Sequence, residues 1–291
     1  MTVTPLVAPP QALVETDVAR ALAEDLGGGD VTAMLLPDDA QRGYVIAKES
    51  AVIAGRPWFD ACFRALDAEI RIDWRVQEGQ RVPADTLLCT LAGRTRALVS
   101  AERPALNFLQ TLSATATRTA EYVGAVAGTR ARILDTRKTL PGLRLAQKYA
   151  VRAGGGHNHR MGLYDAVMLK ENHIHAAGSI AAAAAQARER YPDLPLIIEV
   201  EDLDELEQAL VSDCSRILID DFTLMDMREA VRRARGRIPL EVSGGVEIEK
   251  LHAIADTGVD FISVGALTKH VRAIDLSMRL GAPPAASAGA A

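Results

Sequence analysis

Short apolar runs recur along the second part of the chain, and each is followed by polar or glycine residues. Helical patterns at residues 203–210 and 225–234 lie between such runs, and this alternation predicts βα units around a parallel sheet. Six strands predict an α/β fold of the (β/α)-barrel type, incomplete against the usual eight strands. The predicted strands are residues 132–134, 166–169, 196–198, 217–219, 240–242 and 261–264.

The first part of the chain has a mixed pattern of helices and strands. A run of glycines starting at Gly27 ends the first predicted helix. We predict an N-terminal α/β domain over residues 1–115 and a barrel domain over 116–272, with 273–291 packing back on the first domain. From their composition, about ten residues at each end are predicted to be weakly ordered. The predicted elements are helices at 17–26 and 58–66, strands at 44–48 and 51–54, and a long helix from residue 101.

Composition narrows the class of protein. Hydrophobic residues make up 48% and charged residues 24%, the balance of a soluble globular chain. The net charge of −5 and the aromatic content of 4% disfavour binding to nucleic acid or to an anionic membrane. Cys62, Cys89 and Cys214 are scattered, which predicts reduced thiols and a cytoplasmic protein. The N-terminus lacks the basic and apolar regions of a secretion signal.

Positive charge is concentrated in one segment. Residues 130–170 contain nine Lys or Arg and two acids, a local charge of +7. Arg137, Lys138, Arg160 and Lys170 follow predicted strands or lie in a glycine-rich loop. The carboxyl ends of barrel strands share one rim, where active sites lie, so these cations predict a ligand with several negative charges.

Four further strand ends carry candidate chemistry. Ser243-Gly244-Gly245 and Gly265-Ala266 have the glycines that let backbone N–H groups approach a phosphate. Glu199 and Asp220 follow neighbouring predicted strands and could bind Mg²⁺, accept hydrogen bonds from ribose hydroxyls, or act as a general acid and base. Their spacing leaves these roles open.

Four of the six histidines lie in two HxH pairs, which raises a zinc-dependent hydrolase as an alternative. Neither pair directly follows an apolar strand, and the nearby cations disfavour a bound metal. Contact of His159 with an anionic substrate fits the local charge better. The pairs are His157 with His159 and His173 with His175.

Five motifs together resemble the quinolinate phosphoribosyltransferase family, a type II phosphoribosyltransferase family also named nicotinate-nucleotide pyrophosphorylase (carboxylating). The resemblance covers nearly the whole chain and follows the family's order. It departs at Ala114, where the family usually has glycine. The motifs are EDLGGGDVT at 24–32, ERPALNFLQTLSATAT at 102–117, DTRKTLPG at 135–142, GGGHNHR at 154–160 and KENH at 170–173.

The resemblance implies a fold and a reaction. The expected fold is an N-terminal α/β sandwich-like domain plus an open, incomplete (β/α) barrel, assembled as a homodimer. The expected reaction converts quinolinate and phosphoribosyl pyrophosphate to nicotinate mononucleotide, pyrophosphate and CO₂ with Mg²⁺, a step of de novo NAD biosynthesis.

The resemblance also implies residue roles. Arg137, Arg160 and Lys170 would bind the quinolinate carboxylates, helped by His159 and by Arg103 from the partner subunit. The main catalytic candidates are Lys138, near the pyrophosphate, and the pair Glu199 and Asp220, which would hold the ribose hydroxyls and Mg²⁺ directly or through water. Thr136 would frame the pocket. The expected 5′-phosphate site consists of Ser243, Gly244, Gly245, Val264, Gly265 and Ala266.

Three alternatives remain at this point. A related type II phosphoribosyltransferase could use nicotinate, but nicotinate has one carboxylate and the several cations favour quinolinate. The second is the metal-dependent barrel hydrolase. The third is a catalytically silent binding protein of the same fold, which should have lost site residues, whereas all the charged candidates are present.

Overall fold

The computed structural model describes residues 6–283, so the weak order predicted for residues 1–5 and 284–291 concerns positions outside the described residues. The described chain forms two compact units. The first comprises residues 6–118, 141–155 and 270–283, and the second comprises 119–140 and 156–269. Residues 141–155, which lie within the predicted barrel domain, group by their contacts with the first unit.

The regular elements follow one another along the described chain, with short 3₁₀ helices at Ala33–Leu35 and Ile248–Lys250. In order they are α1 (Gln11–Leu26), β1 (Ala40–Ala47), β2 (Ala51–Val52), α2 (Arg56–Leu66), β3 (Arg71–Trp74), β4 (Arg81–Val82), β5 (Thr86–Arg94), α3 (Thr95–Ala125), β6 (Arg132–Leu134), α4 (Arg144–Ala153), β7 (Val167–Leu169), α5 (Glu171–Ala177), α6 (Ile180–Arg190), β8 (Leu196–Val200), α7 (Leu203–Leu210), β9 (Arg216–Asp220), α8 (Leu224–Ala234), β10 (Leu240–Ser243), α9 (Leu251–Ala255), β11 (Phe261–Ser263), α10 (Ala266–Lys269) and β12 (Leu276–Leu280).

The first unit contains a four-stranded antiparallel sheet in the order β12-β1-β5-β3. The C-terminal strand β12 pairs with β1, with Met278 opposite Val45. Helix α1 ends as predicted at Gly27, which has φ +49° and donates its N–H to the carbonyl of Ala23. The predicted start of the long helix at residue 101 is wrong, because α3 begins at Thr95 and holds Pro104 within its length.

The second unit contains a parallel sheet of six strands within the described residues, in the order β6-β11-β10-β9-β8-β7. Strands β7 to β11 lie side by side in chain order, and β6 pairs with β11. Within the described residues, the two edge strands β6 and β7 do not pair with each other. Beside β6 the chain makes a parallel bridge between His157 and Leu134 instead. The predicted α/β fold with an open, incomplete barrel is thereby confirmed.

The strands of the second unit are apolar runs in the sequence because they are buried. Ile133, Ile198, Ile219 and Ile262 are at most 1% exposed. Parallel strands covered on both faces require such residues. Strands β8 and β9 extend further than predicted, to Val200 and Asp220, so the Glu199 side chain belongs to a strand and does not follow one.

Two of the three cysteines lie in the core, and burial raises the pKa of the Cys62 thiol to about 12. The thiol of Cys214 is partly exposed. Within residues 6–283, no helix has the length and apolar character needed to cross a membrane.

Candidate active site

A cavity of about 320 Å³ lies in the second unit, where the parallel strands end. Eight predicted site residues line it together, although they are spread over more than 100 positions of the sequence. Met168, Leu218, Glu241 and Ser263 complete the lining and were not predicted. The eight are Thr136, Arg137, Lys138, His159, Arg160, Lys170, Glu199 and Ser243.

Two guanidinium groups lie close together in this cavity. Burial lowers the pKa of Arg160, and the positive charge of Arg137 lowers it further. Arg160 donates to the carbonyl oxygen of Ala166 at 3.3 Å, a neutral acceptor. Crowded, partly desolvated guanidinium groups are stabilised by an anion between them, and two such groups suit the planar fork of a carboxylate.

The cavity also contains a direct link between a cation and an acid. The Nζ atom of Lys170 contacts Oε2 of Glu199 across neighbouring strands β7 and β8. The Lys170 side chain remains 47% exposed, whereas that of Glu199 is 12% exposed. Lys170 can therefore reach a ligand from this position while Glu199 stays fixed in the sheet.

Asp220 and Ser243 lie opposite each other in register at the ends of β9 and β10. The next residue, Gly244, has φ +91°, and a Cβ atom there would lie 3.0 Å from Oδ1 of Asp220. Gly245 also has a positive φ, of +43°. Two successive glycines of this conformation can turn backbone N–H groups toward an anion beside the Asp220 carboxylate.

The second predicted glycine, Gly265, packs against Lys138. A Cβ atom on Gly265 would lie 3.0 Å from Cδ of Lys138. The backbone of Lys138 is held on two sides, because its N–H donates to Oγ1 of Thr136 at 3.0 Å and its carbonyl accepts from Thr268 at 2.7 Å. The neighbouring Val264 is buried, and Ala266 begins α10.

Two buried acids contact His159 of the cavity, and neither was predicted as a site residue. Asp135 accepts hydrogen bonds from the backbone N–H of His159 at 2.8 Å and from Nδ2 of Asn158 at 2.6 Å. Glu241 is fully buried in β10, beside Arg216 and His159. Burial alone would raise the pKa of Glu241, but the contacts with His159 and Arg216 outweigh it and lower that pKa below its usual range.

A sequence signal for Glu241 was available. It stands between Leu240 and Val242 in an otherwise apolar strand, two positions before Ser243. Because side chains alternate along a strand, Glu241 shares the face of Ser243, which lines the cavity. An acid on the inner face of a buried strand indicates a partner within the barrel.

The carboxylates near the carboxyl ends of β8 and β9 fit a divalent cation. Burial raises the pKa of Glu201, and the surrounding charges of Glu171, Glu205, Glu199 and Asp220 raise it further. This excess of negative charge and the oxygen donors of Glu199 and Asp220 suit Mg²⁺, which prefers oxygen ligands and keeps several waters.

The histidine pairs give no comparable zinc site in the part of the chain that is described. The backbone of His157 bridges to β6, and Nδ1 of His173 accepts the N–H of Lys170 at 3.2 Å. Among residues 6–283, no three His, Cys, Asp or Glu side chains are grouped so as to hold a metal ion.

Arg103 is the one predicted site residue that belongs to the first unit, on α3. Its side chain is 58% exposed, and its Nη2 atom lies 3.9 Å from Oε1 of Glu102.

The second unit is an open parallel barrel, and its rim carries crowded cations, carboxylates and a glycine turn. These features define an α/β-barrel protein whose site fits polyanionic small molecules. Residues 30–113 match the family model of the quinolinate phosphoribosyl transferase N-terminal domain, and residues 115–279 match that of the C-terminal domain. The chain belongs to the quinolinate phosphoribosyl transferase family.

Individual relatives agree with the family models. The chain is 43% identical to a probable nicotinate-nucleotide pyrophosphorylase (carboxylating) of Synechocystis over 279 residues, 94% of each protein. It is 42% identical over 274 residues to the nicotinate-nucleotide pyrophosphorylase (carboxylating) of Mycobacterium leprae, covering 90% of this chain and 95% of the relative. The structure of the nicotinate-nucleotide pyrophosphorylase from Francisella tularensis superposes with a TM-score of 0.91 at 42% identity, covering 96% of this chain and all of that one.

Proposed function

We propose that this protein transfers the phosphoribosyl group of phosphoribosyl pyrophosphate to quinolinate, with loss of CO₂. The products are nicotinate mononucleotide and pyrophosphate, and the step serves NAD biosynthesis. The observation that carries this proposal is that Arg137, Arg160 and Lys170 line one cavity together with Glu199. Relatives named for this reaction cover most of the chain.

Quinolinate carries two carboxylates on adjacent ring carbons, and three cations of the cavity would bind them. Arg137 and Arg160 can each offer a pair of parallel N–H donors, and Lys170 adds a single point charge. Once the carboxylates are held, the ring nitrogen is oriented toward the ribose. This fixed orientation is the main contribution that the acceptor site makes to catalysis.

Phosphoribosyl pyrophosphate would lie on the opposite side of the cavity. Glu199 and Asp220 would accept hydrogen bonds from the ribose hydroxyls and would hold Mg²⁺, directly or through water. Bound Mg²⁺ would neutralise charge on the pyrophosphate. Lys138 contacts the pyrophosphate side. The 5′-phosphate is bound by the turns that contain Ser243, Gly244, Gly245, Val264, Gly265 and Ala266.

Bond breaking at the ribose carbon gives it oxocarbenium character, and Lys138 stabilises the charge that develops on the departing pyrophosphate. The ring nitrogen then attacks the ribose carbon and becomes positively charged. That charge stabilises the carbanion that forms when the neighbouring carboxylate leaves as CO₂, and a proton then completes the ring. The reaction needs no nucleophilic side chain.

The functional unit we propose is a homodimer in which Arg103 of one subunit completes the site of its partner. The family resemblance of the α3 motif and the exposure of the Arg103 side chain support this arrangement. A cytoplasmic location stays a prediction from the cysteine pattern.

The proposed function is tested by measuring CO₂ released from carboxyl-labelled quinolinate in the presence of phosphoribosyl pyrophosphate and Mg²⁺. We expect equimolar CO₂ and nicotinate mononucleotide, with activity abolished by chelator and restored by added Mg²⁺. If the protein converted nicotinate but not quinolinate, it would be the related phosphoribosyltransferase. Activity in excess chelator would contradict the role of the metal.

A further inference from the structure

Glu241 has an unusual position for an ionised side chain. It stands in the middle of β10 and is 0% exposed. Its Oε2 atom accepts from Nη1 of Arg216 at 2.8 Å, and its Oε1 atom lies 3.3 Å from Nε2 of His159. A buried carboxylate is costly without partners, and the hydrogen bond from Arg216 together with the nearby imidazole of His159 stabilises it.

The orientation of His159 follows from its backbone neighbours. Its Nδ1 atom accepts the backbone N–H of Arg160 at 2.6 Å, and its own backbone N–H donates to Asp135 at 2.8 Å. A ring nitrogen that accepts a hydrogen bond carries no proton, so the ring proton is assigned to Nε2. Nε2 lies 3.3 Å from Oε1 of Glu241.

We propose that Glu241 is a positioning residue for the acceptor substrate. Its carboxylate fixes the ring of His159, and the ring in turn holds the backbone of Arg160, whose guanidinium lines the cavity. This inference rests on the proposed function, because it assigns Arg160 to a carboxylate of quinolinate. Glu241 lies in the wall of the cavity but is 0% exposed, so it acts through His159.

The proposal requires a carboxylate at this position. Nη1 of Arg216 donates to one oxygen of Glu241, and Nε2 of His159 lies 3.3 Å from the other, so both oxygens face nitrogen atoms. An amide of the same shape offers one accepting oxygen and turns its NH₂ group toward the other donor. Glu241→Gln therefore keeps the volume of the side chain and breaks one of the two contacts.

Kinetics of Glu241→Gln separate positioning from general destabilisation. We expect KM for quinolinate to rise roughly tenfold or more, the size expected when a charged hydrogen-bond partner is lost. KM for phosphoribosyl pyrophosphate should change by less than about twofold, since the neighbouring Glu199 and Asp220 are untouched. Equal increases in both constants, or no change in either, would overturn the proposal.

Asp17→Asn provides the matched control. Asp17 is also a buried acid with two partners, Nη2 of Arg20 and Nε1 of Trp58, each at 3.0 Å, but it lies in the first unit and lines no part of the cavity. This variant should lose stability and leave both KM values unchanged. A rise in KM for quinolinate in Asp17→Asn would show that the effect reports destabilisation.

A double-mutant cycle tests whether Glu241 acts through His159. In the background of His159→Asn, adding Glu241→Gln should change KM for quinolinate by less than about twofold, because the connecting ring is already gone. Full additivity of the two changes would overturn the proposed connection.

Nitrogen NMR of histidine-labelled protein gives a readout that does not depend on activity. The wild type should show His159 with its proton on Nε2, and Glu241→Gln should shift or broaden that signal. A proton on Nδ1 in the wild type would overturn the proposal, even if Glu241→Gln failed to fold. If the wild type released no CO₂ from quinolinate but the signal behaved as expected, the proposed function alone would fail.

Discussion

The side-chain ammonium of Lys170 contacts the carboxylate of Glu199, which joins two parts of the cavity with different proposed ligands. Lys170 belongs to the group of cations proposed for quinolinate. Glu199 belongs to the acids proposed for the ribose and Mg²⁺. Either ligand must therefore compete with this internal salt bridge, and substitutions at the two ends should affect different substrates.

Glu199→Gln should weaken the use of phosphoribosyl pyrophosphate more than the binding of quinolinate. The amide removes the negative charge that favours Mg²⁺ and releases Lys170 to bind a carboxylate. We expect KM for phosphoribosyl pyrophosphate to rise roughly ten- to hundredfold, as for the loss of a charged contact. Glu189→Gln is the control, since it removes an exposed acid of α6 that does not line the cavity. A larger effect on quinolinate would contradict the assignment of Glu199.

The number of cations predicts substrate preference. Nicotinate lacks one of the two carboxylates, so one cation among Arg137, Arg160 and Lys170 would be left without an anionic partner. The loss should cost about 1.5–3 kcal/mol, or roughly ten- to hundredfold in kcat/KM. Steady-state kinetics with both ring acids measure this ratio, and equal turnover of nicotinate would refute the assignment of these cations to two carboxylates.

Gly244→Ala should impair the phosphoribosyl pyrophosphate site. The new Cβ would lie 3.0 Å from Oδ1 of Asp220 and would displace that carboxylate. Gly236→Ala is the matched control, because Gly236 also has a positive φ, of +70°, but no atom within 4 Å of its Cβ position. Both variants should lose about 1 kcal/mol of stability from backbone strain, and only Gly244→Ala should raise KM for phosphoribosyl pyrophosphate. Similar KM values in both variants would contradict this prediction.

The parallel strands and the cationic rim could be predicted from the sequence because both depend on local patterns. Apolar runs mark buried parallel strands, and α7 coincides with the predicted helix at 203–210. The support given by Glu241 and Asp135 depends on pairing between distant segments, which a single sequence does not specify. The start of α3 was also missed, because Thr95 follows β5 directly, without the polar linker that usually separates a strand from a helix.

Stability should depend on pH through Glu78. Its carboxylate accepts the N–H groups of Gly55 at 2.5 Å and Arg56 at 3.3 Å, at the start of α2. Burial raises the pKa of Glu78 above the ordinary value of 4.5, although these hydrogen bonds oppose the shift. The folded state therefore binds this proton more tightly than the unfolded state does. The stability that protonated Glu78 contributes is complete below pH 4.5 and is lost as pH rises through the folded-state pKa.

Glu78→Gln removes that titration. The free energy of unfolding of the variant, relative to the wild type, should therefore increase as pH rises from 4.5 toward neutrality. Urea unfolding at several pH values measures the difference. Gln77→Ala, which changes an exposed residue without a titratable group, serves as the control and should give a constant difference. If the variant lost stability relative to the wild type as pH rose, the predicted sign would be wrong.

The composite site predicts complementation between two inactive variants. Arg103→Ala and Lys138→Ala should each be nearly inactive, because each removes a cation from every site of its own homodimer. In a mixed dimer, the site on the Arg103→Ala subunit keeps Lys138 and receives an intact Arg103 from its partner. The other site lacks both side chains. One of the two sites is therefore complete.

Random refolding of an equal mixture should make about half of the dimers mixed, and roughly a quarter of wild-type activity should return, by the symmetry of the assembly. Differently tagged subunits allow mixed dimers to be isolated and their active fraction to be titrated. Lys138→Ala mixed with a second inactive barrel variant, Arg160→Ala, is the control. Its mixed dimers carry one substitution in each barrel and leave no complete site. If the Arg103 mixture stayed inactive although mixed dimers formed, Arg103 would act within its own chain or not at all, because only supply from the partner creates an intact site.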